Sequence, residues 1–339
     1  MAKTAKKIPS PIRVSSDLMW GGWATYALAA AAELDVFSAI EAGNVTAAEI
    51  ARAVAANEGM TRRLLDTLVA LKYLTRKGEK YALTPESSTY LARGSDLYIP
   101  HASRLALGQM MGWAQLANVV RSGAPMPPPG GREAMGEFFA MLVKTIFPPN
   151  YVAARQVAAS LPRNVGARIE NVLDVAAGAA AWSIPFAKLN RKTRVTVVDT
   201  SQVTPVTREY AAKFGVAEQF EYLEGDLHEV DFGKGRYDLI ILGHIIHGEG
   251  RENGQRLIRR SAEALRDKGM LLIAELIPND DRSGPALPML FGLNMMLFTP
   301  GGDVFTMKDY RGWLKDAGFR TIKTLKSPSA PSPLILATK

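Results

Sequence analysis

Asn171-Val-Leu-Asp-Val-Ala-Ala-Gly-Ala-Ala-Ala-Trp182 is the stretch that decides the fold. Asn171 to Val175 is a short apolar run, as in a strand buried in a parallel sheet. Ala176 to Ala181 holds only small residues. From Trp182 to Leu189, the apolar positions Ile184, Phe186, Ala187 and Leu189 read as a helix. Strand, small-residue turn and helix start frame a nucleotide cradle. Small residues let a ligand approach the backbone, and free helix N–H groups favour negatively charged atoms. Alone, the stretch is a weak signal. A dinucleotide fingerprint has three glycines, and only Gly178 stands in this turn. A plain strand-to-helix turn accounts for it equally well.

The runs that follow give it weight. Arg194 to Val198 is a second apolar run and ends in Asp199. That acid lies about 20 residues past the loop, where ribose hydroxyls are bound. Phe220 to Leu223 is a third run, followed by Gly225 and Asp226. Tyr237 to Leu242 is a fourth, followed by Gly243, His244 and His247; Gly269 to Ala274 is a fifth, ending in Glu275. Helical patterns separate most of them, so a parallel α/β sheet is expected. In such a sheet the strand carboxyl ends share one edge, where ligands bind. Gly178, Asp199, Asp226, His247 and Glu275 are expected to converge there.

On these residues, 171–339 resembles the catalytic domain of a class I S-adenosylmethionine-dependent methyltransferase. The whole chain resembles the plant-type O-methyltransferase family, including its bacterial natural-product and hydroxyneurosporene-type members. Leu173-Asp-Val-Ala-Ala-Gly178 matches the first motif, and Val197-Val-Asp199 the ribose-binding strand end. Glu224-Gly-Asp-Leu227 matches the segment flanking adenine, and Gly243-His-Ile-Ile-His-Gly-Glu249 the segment with the catalytic histidine. Ala274-Glu275 matches the strand end with its partner acid, and Gly301-Gly-Asp303 a later motif. The resemblance implies a Rossmann-like sheet with helices on both faces, plus an N-terminal helical winged-helix dimerisation domain. It implies S-adenosylmethionine as cofactor, held by Asp174, Ala176, Gly178, Asp199, Thr200, Gly225, Asp226, Leu227, Gly243 and His244. A small-molecule acceptor and a homodimer are also implied.

The whole chain suits a cytoplasmic enzyme. At 339 residues two domains are the natural division. The expected segments are 1–95, dimerisation; 96–165, a helical connector walling the acceptor; and 166–339, catalytic. No apolar run reaches membrane-span length; the nearest, Ala24 to Ala32, is too short. Met1 to Pro11 is basic, lacks an apolar core and reads as a disordered arm. The absence of cysteine excludes disulfides and cysteine-based metal sites or nucleophiles, and no metal is expected. The net charge of +8 comes from scattered basic residues, read as solvated surface and not as a nucleic-acid site.

Asp17 to Ala42 reads as one long helix with large or apolar residues on more than one side, Trp20 and Trp23 among them, so it is expected to be buried on more than one side, against a subunit partner or as an ordinary core helix. In the winged helix, Thr46 and Glu49 form a capping box, helices run to about Ala55 and from Met60 to Leu74, and Tyr73 to Leu83 is a hairpin around Gly78. Pro125 to Gly131 reads as a rigid loop, and Glu137 to Ile146 and Asn150 to Leu161 as two helices. Pro285 to Phe298 reads as a Met-rich segment, either a packed helix or a lid over a flat apolar acceptor. Trp113, Met141, Phe147, Tyr151, Phe291, Asn294 and Met295 are the candidates for acceptor contact, with Phe138 beside them.

The chemistry follows from the sulfonium methyl, an electrophile that needs an in-line nucleophile. A phenol or alcohol is protonated at neutral pH, so a neighbouring base helps. The resemblance gives that role to His247, with Glu275 orienting its ring and Glu249 as a substitute. His228 reads as surface, and His101 has no assigned role. Four departures stand out. Ala176 and Ala180 replace the outer glycines of the first motif, and Ala180 is expected to crowd the methionyl end of the cofactor. Gly243 replaces a lysine near adenine, Gly248-Glu249 an Asp-Trp pair, and Val304, beside Asp303, a second acid. Three classes stay open: O-methylation of a small apolar phenolic or polyketide-like metabolite, C-methylation or cyclisation on the same fold, and a non-catalytic ligand-binding regulator.

Overall fold

The computed structural model describes residues 10–127, 131–166 and 168–339. Most of the expected N-terminal arm and Pro128 to Gly130 of the expected proline loop lie outside them. The chain forms two compact units, Met1–Met110 and Met111–Lys339.

The first unit begins with α1 (Ile12–Ser15), a π-helical turn (Ser16–Trp20), α2 (Trp23–Glu33) and α3 (Val36–Glu41). The single helix expected over 17–42 is therefore broken twice. Gly21 and Gly22 weaken the first join, and Asp35, in the left-handed region at φ 59°, turns the second. Then come α4 (Ala47–Ala53), α5 (Glu58–Ala70), the hairpin β1 (Leu74–Lys77) and β2 (Lys80–Leu83), and α6 (Pro85–Tyr90). Thr46 and Glu49 form the expected capping box. Phe37, Ile50, Leu65, Leu68, Leu74 and Tyr81 bury together as this unit's core.

α7 (Ala102–Trp113) contains the boundary between the units. α8 (Leu116–Ser122), α9 (Gly131–Ser160) and α10 (Arg163–Gly166) follow. Where two helices were expected, α9 is continuous through Pro148 and Pro149. Phe147 and Tyr151, on either side of the prolines, stack at 5.2 Å, and both pack on Phe214. That anchorage holds the helix together where proline costs it backbone hydrogen bonds.

The remaining elements are β3 (Asn171–Val175), α11 (Ile184–Leu189), β4 (Arg194–Asp199), α12 (Thr204–Lys213), β5 (Phe220–Glu224), β6 (Tyr237–Gly243), α13 (Ile246–Ala264), β7 (Leu265–Ala274), α14 (Ala286–Phe298), α15 (Met307–Asp316), β8 (Thr321–Leu325) and β9 (Leu334–Thr338). Among the described residues they build a seven-stranded sheet of order β5-β4-β3-β6-β7-β9-β8. β3 to β7 are parallel, and β9 and β8 close one edge antiparallel. α9 packs on α11 and α12, and α13 on α15. No helix among the described residues is long and apolar enough to cross a membrane. The register aligns the strand ends: Asp199 lies opposite Glu224, Val175 opposite both Val198 and Leu242, and Gly243 opposite Ala274. The small-residue loop, Asp199, the His244–His247 turn and Glu275 therefore leave the sheet along one edge.

Candidate active site

The small-residue loop keeps a glycine-type backbone with one glycine. Ala176, Gly178 and Ala180 all stand in the left-handed region, at φ 55°, 57° and 57°. The Ala176 N–H donates to Val198 O (2.8 Å), fixing the start of the loop on β4. Ala180 is fully buried, whereas Ala176 is half-buried.

Asp199, at the end of β4, organises the neighbouring backbone. Its carboxylate accepts from the Gly178 N–H (2.8 Å) and the Thr200 N–H (2.8 Å). Burial pushes its pKa up, and these two N–H groups oppose that. Asp174, in β3, is buried, and burial pushes its carboxyl up to about 7. The Ser183 hydroxyl beside it opposes that rise, and Trp182 Nε1 is buried without a hydrogen-bond partner among the described residues. A loop of small residues in left-handed backbone, acidic groups in and at the end of its neighbouring strands and an unmet buried donor fit a polar cofactor that is positively charged at its centre.

The segment after β5 is held from α13. The Gly225 N–H donates to Asp199 O (3.0 Å), and the exposed Asp226 carboxylate accepts the His228 N–H (2.8 Å). Arg260 donates to the carbonyls of Leu227 and Val230. Arg256 donates to His228 Nδ1 (2.9 Å), and His228 Nε2 meets Glu249 at 2.8 Å. His228, its side chain 30% exposed, thus lies at the surface as expected but inside a network, to which Glu249 is committed.

Past β6, His244 takes a left-handed conformation (φ 59°), and its N–H donates to Ala274 O (2.8 Å). This turn starts α13 and places His247 against Glu275. His247 Nδ1 lies 2.7 Å from Glu275 Oε2, while Glu275 Oε1 accepts the backbone N–H groups of Ile246 (2.8 Å) and His247 (3.3 Å). Burial alone would raise the Glu275 pKa, but the charge and hydrogen bond of His247 hold it below the ordinary carboxylate range. An ionised Glu275 fixes the Nδ1–H tautomer and leaves Nε2 as the basic nitrogen. His244 keeps some solvent exposure, yet burial of its ring pushes its pKa down to about 4. His244, His247 and Glu275 offer ligand atoms within 4.8 Å of one another. Both Glu275 oxygens are already engaged, so the group is built as an acid–histidine pair and not as a cation site.

Among the candidates for acceptor contact, Phe291 of α14 meets the His247 ring edge-on, 4.8 Å between centroids at 88°. The Trp113 indole N–H donates to Asn294 Oδ1 (3.0 Å), and Met295 is buried one residue further along α14. Met141 is half-buried on α9. Phe147 and Tyr151 instead enter the aromatic cluster with Phe214 and are core residues, and the exposed Phe138 packs edge-on to Phe139. Asp303 is held by Arg282 (3.0 Å). The sequence did not expose Trp182, whose ring covers Gly243.

Known proteins place this geometry. A family model described as the O-methyltransferase domain matches residues 158–320, and one described as the O-methyltransferase dimerisation domain matches 16–93. The 3-hydroxy-5-methyl-1-naphthoate 3-O-methyltransferase of Streptomyces sahachiroi is 29% identical over 322 residues, covering 93% of this chain and 92% of that protein. The tetracenomycin polyketide synthesis 8-O-methyl transferase of Streptomyces glaucescens is 29% identical over 325 residues, 92% of each. The solved structure of human N-acetylserotonin methyltransferase in complex with S-adenosylmethionine superposes with a TM-score of 0.81 at 26% identity, over 99% of both chains. Matched in both its N-terminal and its catalytic part, the chain belongs to the O-methyltransferase family and is an S-adenosylmethionine-dependent enzyme.

Proposed function

We propose that the protein methylates a hydroxyl of a small apolar metabolite, phenolic or polyketide-like, with His247 as general base. The naphthoate and polyketide substrates in the names of its relatives support that acceptor class. In this reading Asp199 and Thr200 hold the cofactor ribose, Gly225 to Leu227 flank adenine, and Asp174, Ala176, Gly178, Gly243 and His244 line the rest of the cofactor site. When bound, the cofactor supplies an electrophilic methyl on a sulfonium. His247 Nε2 takes the proton of the acceptor hydroxyl, and Glu275 stabilises the resulting imidazolium. Neutral His244 adds no positive charge beside the sulfonium. Phe291, Asn294, Met295, Trp113 and Met141 wall the acceptor and exclude water.

One observation carries this reading. Glu275 holds His247 through the ring and through the backbone at once, which fixes both its tautomer and its place. The test is transfer of labelled methyl to a panel of phenols and naphthols. Labelled ethers from wild-type enzyme, lost in His247→Ala, support it. Label on carbon, or none on any acceptor although cofactor binds, overturns it.

The working state is proposed to be a homodimer. The dimerisation model covers a face on which Leu18, Met19, Trp20, Trp23 and Tyr26 are exposed, with Trp20 and Trp23 packed at 6.3 Å. Light scattering at micromolar concentration should give twice the chain mass, and Trp23→Glu should shift it towards the monomer; a monomeric wild type rules the dimer out.

A further inference from the structure

Trp182 is buried, 5% exposed, and its Nε1 has no hydrogen-bond partner among the described residues. Its indole lies with its Cδ1–Nε1 edge against the end of β6: a Cβ at Gly243 would stand 2.5 Å from Trp182 Cδ1 and 3.0 Å from Nε1. Glycine at 243 is thus a condition for the ring's position, and the N–H edge occupies the space from which a side chain at 243 would project. That space is on the ligand edge of the sheet. Gly243 follows Leu242, which pairs with Val175 at the start of the small-residue loop, and the indole is 6.0 Å from the His244 ring.

An indole N–H donates and never accepts. A buried donor left unmet destabilises the fold, and phenylalanine would fill the same space without that cost. A donor retained at this edge is explained by an acceptor that arrives with the ligand. We propose that the Trp182 N–H donates a hydrogen bond to the bound cofactor, making Trp182 with Gly243 a cofactor-recognition pair. The proposal rests on the cofactor site described above. S-adenosylmethionine offers acceptors in its carboxylate, its ribose oxygens and its adenine nitrogens.

The experiment is calorimetry of S-adenosylhomocysteine and 5′-methylthioadenosine on full-length wild type and Trp182→Phe, with nitrogen-15 spectra of the indole N–H signals. The chain has five tryptophans, and the Trp182 signal is the one absent from Trp182→Phe. Affinity for S-adenosylhomocysteine should fall about five- to thirtyfold in Trp182→Phe, the scale of one lost hydrogen bond. An equal fall for 5′-methylthioadenosine puts the acceptor in the adenosine half; a fall for S-adenosylhomocysteine alone puts it on the carboxylate. In wild type, the Trp182 signal should move downfield and exchange more slowly when S-adenosylhomocysteine is added. Where Trp182→Phe folds poorly, Phe variants of the other four tryptophans assign the Trp182 signal by elimination. Unchanged affinities with an unmoved signal, while wild type binds, overturn the proposal. A wild type that binds neither ligand overturns the cofactor site beneath it.

Discussion

The indole N–H of Trp113 donates to Asn294 Oδ1 at 3.0 Å, joining positions 181 residues apart in sequence. The bond commits the amide oxygen of Asn294, so its NH2 group is what Asn294 can offer an acceptor oxygen. Asn294→Leu should raise KM for the acceptor about tenfold, the scale of one lost hydrogen bond plus an unpaired indole. Trp113→Phe should raise it less, and neither should alter S-adenosylhomocysteine affinity. Steady-state kinetics with calorimetry checks this; an unchanged KM in Asn294→Leu removes that residue from the acceptor wall.

His247→Ala should lower turnover by roughly 10²–10⁴, the scale for one acid–base group, and leave cofactor affinity nearly unchanged. Glu275→Gln should cost less, because the ring survives but its orienting charge is lost. Glu275 is held ionised, its pKa lowered by His247. It stays charged through the neutral range and goes on orienting the His247 ring there. If His247→Ala keeps its turnover, the acceptor ionises without a base.

Ala176 and Ala180 share the left-handed backbone but not the same surroundings. An L-residue there is strained by roughly 1–2 kcal/mol relative to glycine, offset in part by the extra freedom glycine gives the unfolded chain. Ala176 is half-buried and Ala180 fully buried. Ala176→Gly should therefore raise the melting temperature by a few degrees, on the order of 1 kcal/mol. Ala180→Gly also loses a buried methyl, about 0.8 kcal/mol, and should come out near neutral. Thermal melts decide; equal shifts would show that burial plays no part.

Asp174 and His244 pull stability in opposite directions with pH. Asp174 is raised from 3.8 to about 7, so between those values the folded chain keeps a proton that the unfolded chain releases. Its contribution is full below pH 3.8 and is lost as pH rises to 7. His244 is lowered from 6.5 to about 4, so over that window the unfolded chain takes a proton that the folded chain refuses. Its contribution is lost as pH falls from 6.5 to 4. Asp174→Asn should therefore gain melting temperature more steeply than wild type from pH 4 to 7, and His244→Asn less steeply. Parallel melting curves for all three would show that neither group titrates in these windows.

The parallel strands could be read from sequence because they are short, largely apolar runs, β4, β5 and β6 ending in Asp199, Glu224 and Gly243 and β7 running into Glu275. The site followed from them, since a parallel sheet sends Asp199, His247 and Glu275 to one edge. What escaped depended on contacts between distant positions. The continuity of α9 through Pro148 and Pro149 rests on Phe214, which no local pattern announces. The His228–Glu249 pair joins two segments that each look solvated alone. Trp182 looked like a helix-start hydrophobe; its relation to Gly243 needed the pairing of β3 with β6. The alanine loop looked unlike glycine because sequence shows side chains and not dihedral angles.

One seam remains. Gly250 interrupts α13 at φ 76°, where a Cβ would meet Gly301 O at 2.7 Å, and the Asp303 N–H donates to His247 O (3.0 Å). The loop after α14 is thus stitched by backbone to the peptide unit of His247, while α14 itself reaches that residue through the Phe291 ring. The two attachments are separable. A substitution at Phe291, Asn294 or Met295 changes what lies over the imidazole, while the stitch, made of glycines and main-chain atoms, keeps the histidine backbone in register.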